Sequence, residues 1–160
     1  MTIPQRSFAA LLGLLLGAQA VGKLVDMHLY ASALGRFHAV PETAVPVIAV
    51  VWVGVEILAF GGLGAAALRP RRALMLVGAA AALIDALAYA ALTIGTSVRG
   101  IEVLNCTCFG AFLPQRLSAS VLAQDVFMVV WTAWTLKIAV QHDTNRAPFT
   151  SARDSEHARS

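Results

Sequence analysis

Long apolar stretches separated by short polar segments dominate the chain. Four of them are visible, at about residues 7–25, 44–68, 73–97 and 117–138. A helix needs about 20 predominantly apolar residues to cross a bilayer, and the last three stretches clearly reach that length. The pattern therefore predicts an all-α integral membrane protein, a four-helix bundle within one domain at residues 1–140. The remaining 141–160 are polar and predict a disordered tail.

The first stretch has a second interpretation. Arg6, an apolar run and then Ala18-Gln19-Ala20 resemble a signal peptide with a small-residue cleavage site. Against this, Gly13, Gly17 and Gly22 recur near helical spacing, which favours close packing of a retained transmembrane helix. Cleavage would leave three spans with the same orientation, so the predicted topology does not depend on the choice.

Composition and charge place the chain in a membrane and orient it. Only 13% of its residues are charged and the mean hydropathy is +0.72, whereas soluble domains carry about 25% charge. The net charge of +3 comes from short basic segments beside apolar runs, above all the turn Arg69-Pro70-Arg71-Arg72. Short basic loops stay cytoplasmic, so we expect both termini inside and the connections after spans 1 and 3 outside. No interleaving of aromatic and basic residues indicates a nucleic-acid partner.

The first outer connection is itself patterned. Apolar residues recur at three- and four-residue steps, with polar residues between them, at Leu24, Met27, Tyr30, Leu34 and Phe37. This predicts an amphipathic helix lying on the bilayer surface between spans 1 and 2, ended by Pro41. It is either an ordinary connector or a lid over the second outer connection.

The second outer connection carries the chain's two cysteines, in Asn105-Cys106-Thr107-Cys108-Phe109-Gly110. Disulfides persist outside the cytoplasm. A bridge across one residue closes a very small ring, and strained, exposed disulfides are the labile or catalytic ones. As a structural staple it would gain little, because stabilisation grows with loop length. Gly110 permits a sharp turn where the connection meets the bilayer. The spacing therefore favours thiol–disulfide exchange.

Two other interpretations of Cys106 and Cys108 remain open. They are either small buried side chains that never react, or ligands of a soft metal ion together with His28 or His38. The histidines lack a recognisable ligand spacing, so the sequence assigns no metal site.

Three carboxylates interrupt the apolar spans. Glu56 and Asp85 count to the bilayer midplane, and Asp125 lies in the outer third of span 4. Such groups are costly in hydrocarbon and face the bundle interior, paired or protonated. With no cation expected at the midplane, neutral carboxyl groups are predicted there, while Lys23 and Arg99 are expected near Asp125. These acids either join helices by hydrogen bonds or bind a quinone headgroup and relay protons.

Together these residues resemble the MauE-like branch of the DoxX-type membrane proteins. The likeness covers about residues 7–138, and its most specific part is the cysteine run that follows Arg99-Gly100. The matching residues are Gly22-Lys23-Leu24, Asp26, Pro41, Glu56, Arg99-Gly100, Cys106-x-Cys108-Phe109-Gly110, Leu117-Ser118 and Asp125.

The resemblance implies a role in maturing an exported disulfide-containing protein at the bacterial cytoplasmic membrane, in company with a thioredoxin-like partner. For the family the client is the small subunit of methylamine dehydrogenase. The family commonly has glycine between the cysteines, and this chain has Thr107. A β-branched residue restricts the backbone, so redox poise or ring closure is expected to differ.

The sequence thus yields three hypotheses. In the leading one, Cys106 and Cys108 pass electrons between a thioredoxin-like protein and a membrane acceptor, for which a quinone is the candidate. Arg99 would favour a thiolate by its charge, and Lys23, Asp26 and Asp125 would shape the site. The alternatives are a non-catalytic membrane scaffold for an oxidoreductase and a soft-metal-handling membrane protein.

Overall fold

The computed structural model describes residues 3–69, 71–101 and 118–144. Its helices are α1 (Ile3–Val25), α2 (Met27–Gly35), α3 (Val45–Leu68), α4 (Arg72–Val98) and α5 (Ala119–Thr144), with a 3-10 turn at Glu42–Ala44. There is no strand within these ranges. Cys106, Cys108 and Gly110 lie outside the described residues, as does the tail from residue 145 onward.

Four of these helices, α1, α3, α4 and α5, are long and apolar enough to cross a membrane. Their lengths of 23–27 residues correspond to roughly 35–40 Å at 1.5 Å per residue, against a hydrocarbon thickness of about 30 Å. The predicted spans agree with them within a few residues, and α5 continues to Thr144, beyond the expected boundary at 138. Large apolar side chains on the outside, such as Phe8, Leu14 and Val47, are more than half exposed and suit contact with lipid. The four-helix bundle is confirmed.

The spanning helices pack in the order α1 on α3, α3 on α4 and α4 on α5. The α3–α4 contact is closest where Gly62 faces Gly78. A Cβ atom added to Gly62 would lie 2.7 Å from the Gly78 Cα atom, and one added to Gly78 would lie 2.6 Å from the Leu63 nitrogen. Residues without side chains let two backbones approach this closely, so this glycine pair sets the α3–α4 distance.

Glycines on α1 make room for α3 in the same way. A Cβ atom added to Gly17 would lie 2.8 Å from the Phe60 ring, and one added to Gly13 would lie 3.2 Å from the Leu63 Cβ atom. Leu12 and Leu16 are fully buried on α1. The expectation that α1 packs closely through its glycines is therefore confirmed, and α1 forms part of the bundle core.

The predicted helix after α1 is present as α2, but its position differs from the expectation. Asp26 ends α1 and caps α2, since its Oδ1 atom accepts a hydrogen bond of 2.8 Å from the Leu29 backbone N–H. α2 ends at Gly35, well before Pro41.

The apolar face of α2 packs on the bundle instead of facing the membrane alone. Tyr30 and Leu34 are buried, as is Phe37 just beyond the helix, and they join Val45 and Ala49 in one apolar cluster. Leu24, expected on the same face, is half exposed because it lies on α1, before the break at Asp26. α2 therefore covers the first turns of α3.

The Gly62–Gly78 contact generates the first prediction. Gly78→Ala should destabilise the bundle by roughly 1–3 kcal/mol, because the added methyl group would force α3 and α4 apart. The matched control is Gly61→Ala, since a Cβ atom added at Gly61 has nothing within 4 Å and alanine is favoured over glycine in a helix. Thermal unfolding of the purified protein in detergent should show a lower midpoint for Gly78→Ala alone. Equal shifts for both variants would contradict this packing.

Candidate functional site: the buried polar cluster

An ion pair between α1 and α3 lies at the centre of the bundle. The Lys23 ammonium donates a hydrogen bond to the Glu56 Oε1 atom, and both side chains are 0% exposed. A buried charge is tolerated when it is paired and hydrogen-bonded. Each of the two residues therefore compensates the buried charge of the other. The expectation that no cation reaches the depth of Glu56 is therefore wrong.

The reason lies in where α1 ends. Gly17 of α1 packs beside Phe60 of α3, so Lys23, which lies nearer the end of α1, comes level with Glu56 in the middle of α3. α1 thus ends inside the bundle, and α2 continues along the outer half of α3. Sequence reasoning instead expected Lys23 near Asp125, in the outer third of the membrane.

Two tyrosine rings complete the surroundings of the Lys23 ammonium. Its Nζ atom lies 4.6 Å from the Tyr89 ring centroid and 5.1 Å from that of Tyr30. These distances are within the range of cation–π attraction. The two phenol oxygens are 3.2 Å apart and share a hydrogen bond. The ammonium group of α1 therefore contacts a side chain from each of α2, α3 and α4.

Asp85 of α4 is bound by α3. Its Oδ1 atom accepts a hydrogen bond of 2.6 Å from the Trp52 indole N–H, and Asp85 is 3% exposed. The Trp52 ring also meets the Tyr89 ring edge-on, with centroids 5.1 Å apart. A tryptophan inside an apolar span predicts packing or lipid contact, so sequence reasoning missed this polar role.

Asp125 of α5 is bound by α4, with its Oδ2 atom accepting a hydrogen bond of 2.6 Å from the Thr93 hydroxyl. Lys23 and Arg99 were expected near this carboxyl group, but Lys23 is paired with Glu56. The Arg99 guanidinium donates to the backbone oxygens of Phe37 at 2.9 Å and His38 at 3.1 Å. Arg99 therefore ties the end of α4 to the connection between α2 and α3.

This contact has a consequence for the cysteine segment. His38 has a positive φ of 47°, so the chain turns sharply where Arg99 binds it. The connection between α4 and α5 begins just after Arg99. The chain therefore leaves α4 at the end of the bundle where α2 lies.

Two cavities adjoin these elements. A small one of about 20 Å³ lies between α1, α4 and α5, beside Asp85 and Asp125. A larger, open one of about 440 Å³ lies beside α2 and is lined by His28 and His38 among others. Within the described ranges, no group of three or more His, Cys, Asp or Glu residues could hold a metal ion. A metal site that includes the cysteines falls outside those ranges.

In the structure, Lys23 continues the buried face of α1. The buried residues of α1 recur at helical spacing, at Ala9, Leu12, Leu16, Gln19 and Lys23. This periodicity places Lys23 on the buried face of α1. Its partner is not predictable in this way, because periodicity identifies a face but not the helix that it meets.

Comparison with known proteins agrees with this architecture. The family model described as methylamine utilisation protein MauE matches residues 1–138. No curated protein and no solved structure matches the chain. The chain therefore belongs to the MauE family and is a membrane protein with four candidate transmembrane helices.

The ion pair generates the second prediction. Lys23→Met and Glu56→Gln should each destabilise the protein by about 3–5 kcal/mol, because each leaves an uncompensated or unsatisfied group buried. The double variant Lys23→Met/Glu56→Gln should lose clearly less than the sum of the two. The measurement is the free energy of unfolding in mixed detergent micelles, analysed as a double-mutant cycle.

Lys137→Met is the matched control, because Lys137 is exposed on α5. It should change stability by no more than about 0.5 kcal/mol. Strict additivity of the Lys23 and Glu56 substitutions would show that the two side chains do not interact.

Proposed function

We propose that this protein is a membrane thiol–disulfide redox protein in which Cys106 and Cys108 cycle between dithiol and disulfide. The observation that carries the proposal is the pair itself. Both cysteines of the chain stand two residues apart in the connection between two spans, within a segment that the MauE family model covers. A membrane chain that keeps its only two cysteines together in a polar connection favours exchange chemistry over packing.

The reaction balances as an oxidation of two thiols. Forming the bond between the two sulfur atoms releases two electrons and two protons. In the proposal a membrane acceptor of the quinone class takes up both and becomes a quinol. Exchange with a soluble thiol protein proceeds by thiolate attack and a mixed disulfide.

The partners follow from where the pair is proposed to face. The basic turn with Arg69, Arg71 and Arg72 favours the cytoplasmic side for the opposite end of the bundle. The cysteine segment then faces outward from a bacterial cytoplasmic membrane, with both termini inside. We propose a thioredoxin-like extracytoplasmic protein as its exchange partner and an exported disulfide-containing protein as its client. We propose a client of the methylamine dehydrogenase type, because the matching family model is described as a methylamine utilisation protein.

The buried polar cluster supports a proton role more than a quinone role for Asp85 and Asp125. The cavity that they line has a volume of about 20 Å³, which is near the size of one water molecule and too small for a quinone ring. In this proposal the acceptor binds at the lipid-facing surface, while the interior carboxyl groups handle protons.

A non-catalytic scaffold is the second candidate, and one observation favours it. Each buried carboxylate has a partner on a neighbouring helix: Glu56 binds Lys23, Asp85 binds Trp52 and Asp125 binds Thr93. Such contacts are sufficient to specify helix pairing without chemistry. Under this function the cysteines would be dispensable.

Thiol labelling in intact cells tests the proposed redox state and sidedness. A membrane-impermeant maleimide should label Cys106 and Cys108 only after prior reduction, because the proposal places them outside as a disulfide. The measurement is the mass shift of the protein with and without reductant. Labelling without reduction would indicate free outward thiols and contradict the oxidised resting state. Labelling only after the membrane is opened would contradict the topology.

Serine substitution separates redox chemistry from scaffolding. Cys106→Ser and Cys108→Ser should each abolish disulfide formation in the client at an unchanged level of the membrane protein, because one sulfur atom cannot close the ring. Thr107→Gly is the matched control in the same segment and should retain activity. The measurement is the redox state of client cysteines in cells. Full client maturation in both serine variants would support the scaffold.

A further inference from the structure

The small cavity of about 20 Å³ between α1, α4 and α5 is polar for a site inside a membrane bundle. Its polar walls are Gln19, Asp85, Tyr89, Gln124 and Asp125. A cavity needs roughly 10–15 Å³ to hold one water molecule, together with two to four polar partners. The site meets both conditions.

The side chain of Gln19 indicates that a water molecule occupies this cavity. It is 5% exposed and belongs to the wall of the cavity. Buried amides are almost always hydrogen-bonded. Because Gln19 lines the cavity, a water molecule there would satisfy it.

Asp85 and Asp125 can each accept a further hydrogen bond at this cavity. Asp85 uses Oδ1 to accept from Trp52, and Asp125 uses Oδ2 to accept from Thr93. One oxygen of each group is thus left for a proton or a water molecule. Both groups line the same cavity.

The balance of buried charges indicates the protonation state of the interior carboxyl groups. The buried acidic and basic side chains of the described residues are three carboxyl groups, on Glu56, Asp85 and Asp125, and one ammonium group, on Lys23. One ammonium compensates one carboxylate, and two further uncompensated charges would be very costly in hydrocarbon. Electrical neutrality of the interior therefore requires that two of the three carboxyl groups carry a proton.

We propose that the cavity holds one water molecule that bridges Asp85 and Asp125, and that these two carboxyl groups bind protons that exchange through it. Asp125 and Thr93 lie between this cavity and the ends of α4 and α5 where the cysteine segment is attached. The chain of groups thus forms a proton route from the middle of the bundle towards that end. The proton site does not depend on the redox proposal, although it would supply the proton path that thiol oxidation requires.

Infrared spectroscopy of the purified protein in detergent tests the proton site directly. The carbonyl stretch of protonated carboxylic acids should be present at neutral pH and should shift in D₂O. Asp85→Asn and Asp125→Asn should each remove part of this absorption. Asp26→Asn is the matched control, because Asp26 is an exposed helix cap, and should leave the absorption unchanged. The wild-type spectrum decides the first point even if a variant does not fold.

The bridging water is tested by the rate of deuterium exchange. Gln19→Leu should slow exchange of the carboxyl band several-fold, since the leucine removes a polar wall and occupies the cavity, whereas Gln141→Leu on the exposed surface of α5 should not. Absence of a protonated carboxyl band, or an unchanged exchange rate in Gln19→Leu, would overturn the proposal. Loss of the band when sodium replaces choline in the buffer would also overturn it and indicate a cation site instead.

Discussion

The ion pair between Lys23 and Glu56 is the interaction on which the rest of the bundle depends. Neither partner is tolerated alone in a hydrocarbon interior, so the end of α1 must lie level with the middle of α3. This register leaves the outer half of α3 without cover from α1. α2 provides that cover, and Tyr30 places its ring beside the ammonium group. One buried charge pair therefore explains both the depth at which α1 ends and the position of α2.

The outer end of the bundle is organised by contacts to backbone atoms. Asp26 caps α2 and allows a helix to begin directly after α1. Arg99 binds two successive carbonyl oxygens, those of Phe37 and His38, and joins α4 to the chain that follows α2. Both residues were singled out as support for the cysteine pair. Their observed contacts give them a structural role at the end of the bundle where the cysteine segment begins.

Close packing joins the helices in one part of the interior, and polar contacts join them in another. Near Gly62 and Gly78 the helices approach through bare backbone, and dispersion holds them together. Further along α3 and α4, Trp52 binds Asp85, and Thr93 of α4 binds Asp125 of α5. Each of these contacts joins neighbouring helices and makes a slipped register costly, because slippage would leave a carboxyl group unsatisfied in hydrocarbon. The same carboxyl groups give the bundle its capacity to bind protons.

The sequence by itself determined the spans, because length and hydropathy decide whether a helix can cross a bilayer, and it located α2 through its apolar spacing. It also marked Glu56, Asp85 and Asp125 as interior residues, since a carboxyl group inside an apolar span has few other places to go. Only the tertiary structure decided their partners. Lys23 was expected near Asp125, nearer the outer surface, because the depth of a helix end depends on how neighbouring helices are offset. That offset is set by contacts between residues far apart in the chain, such as Gly17 beside Phe60, which no local pattern contains.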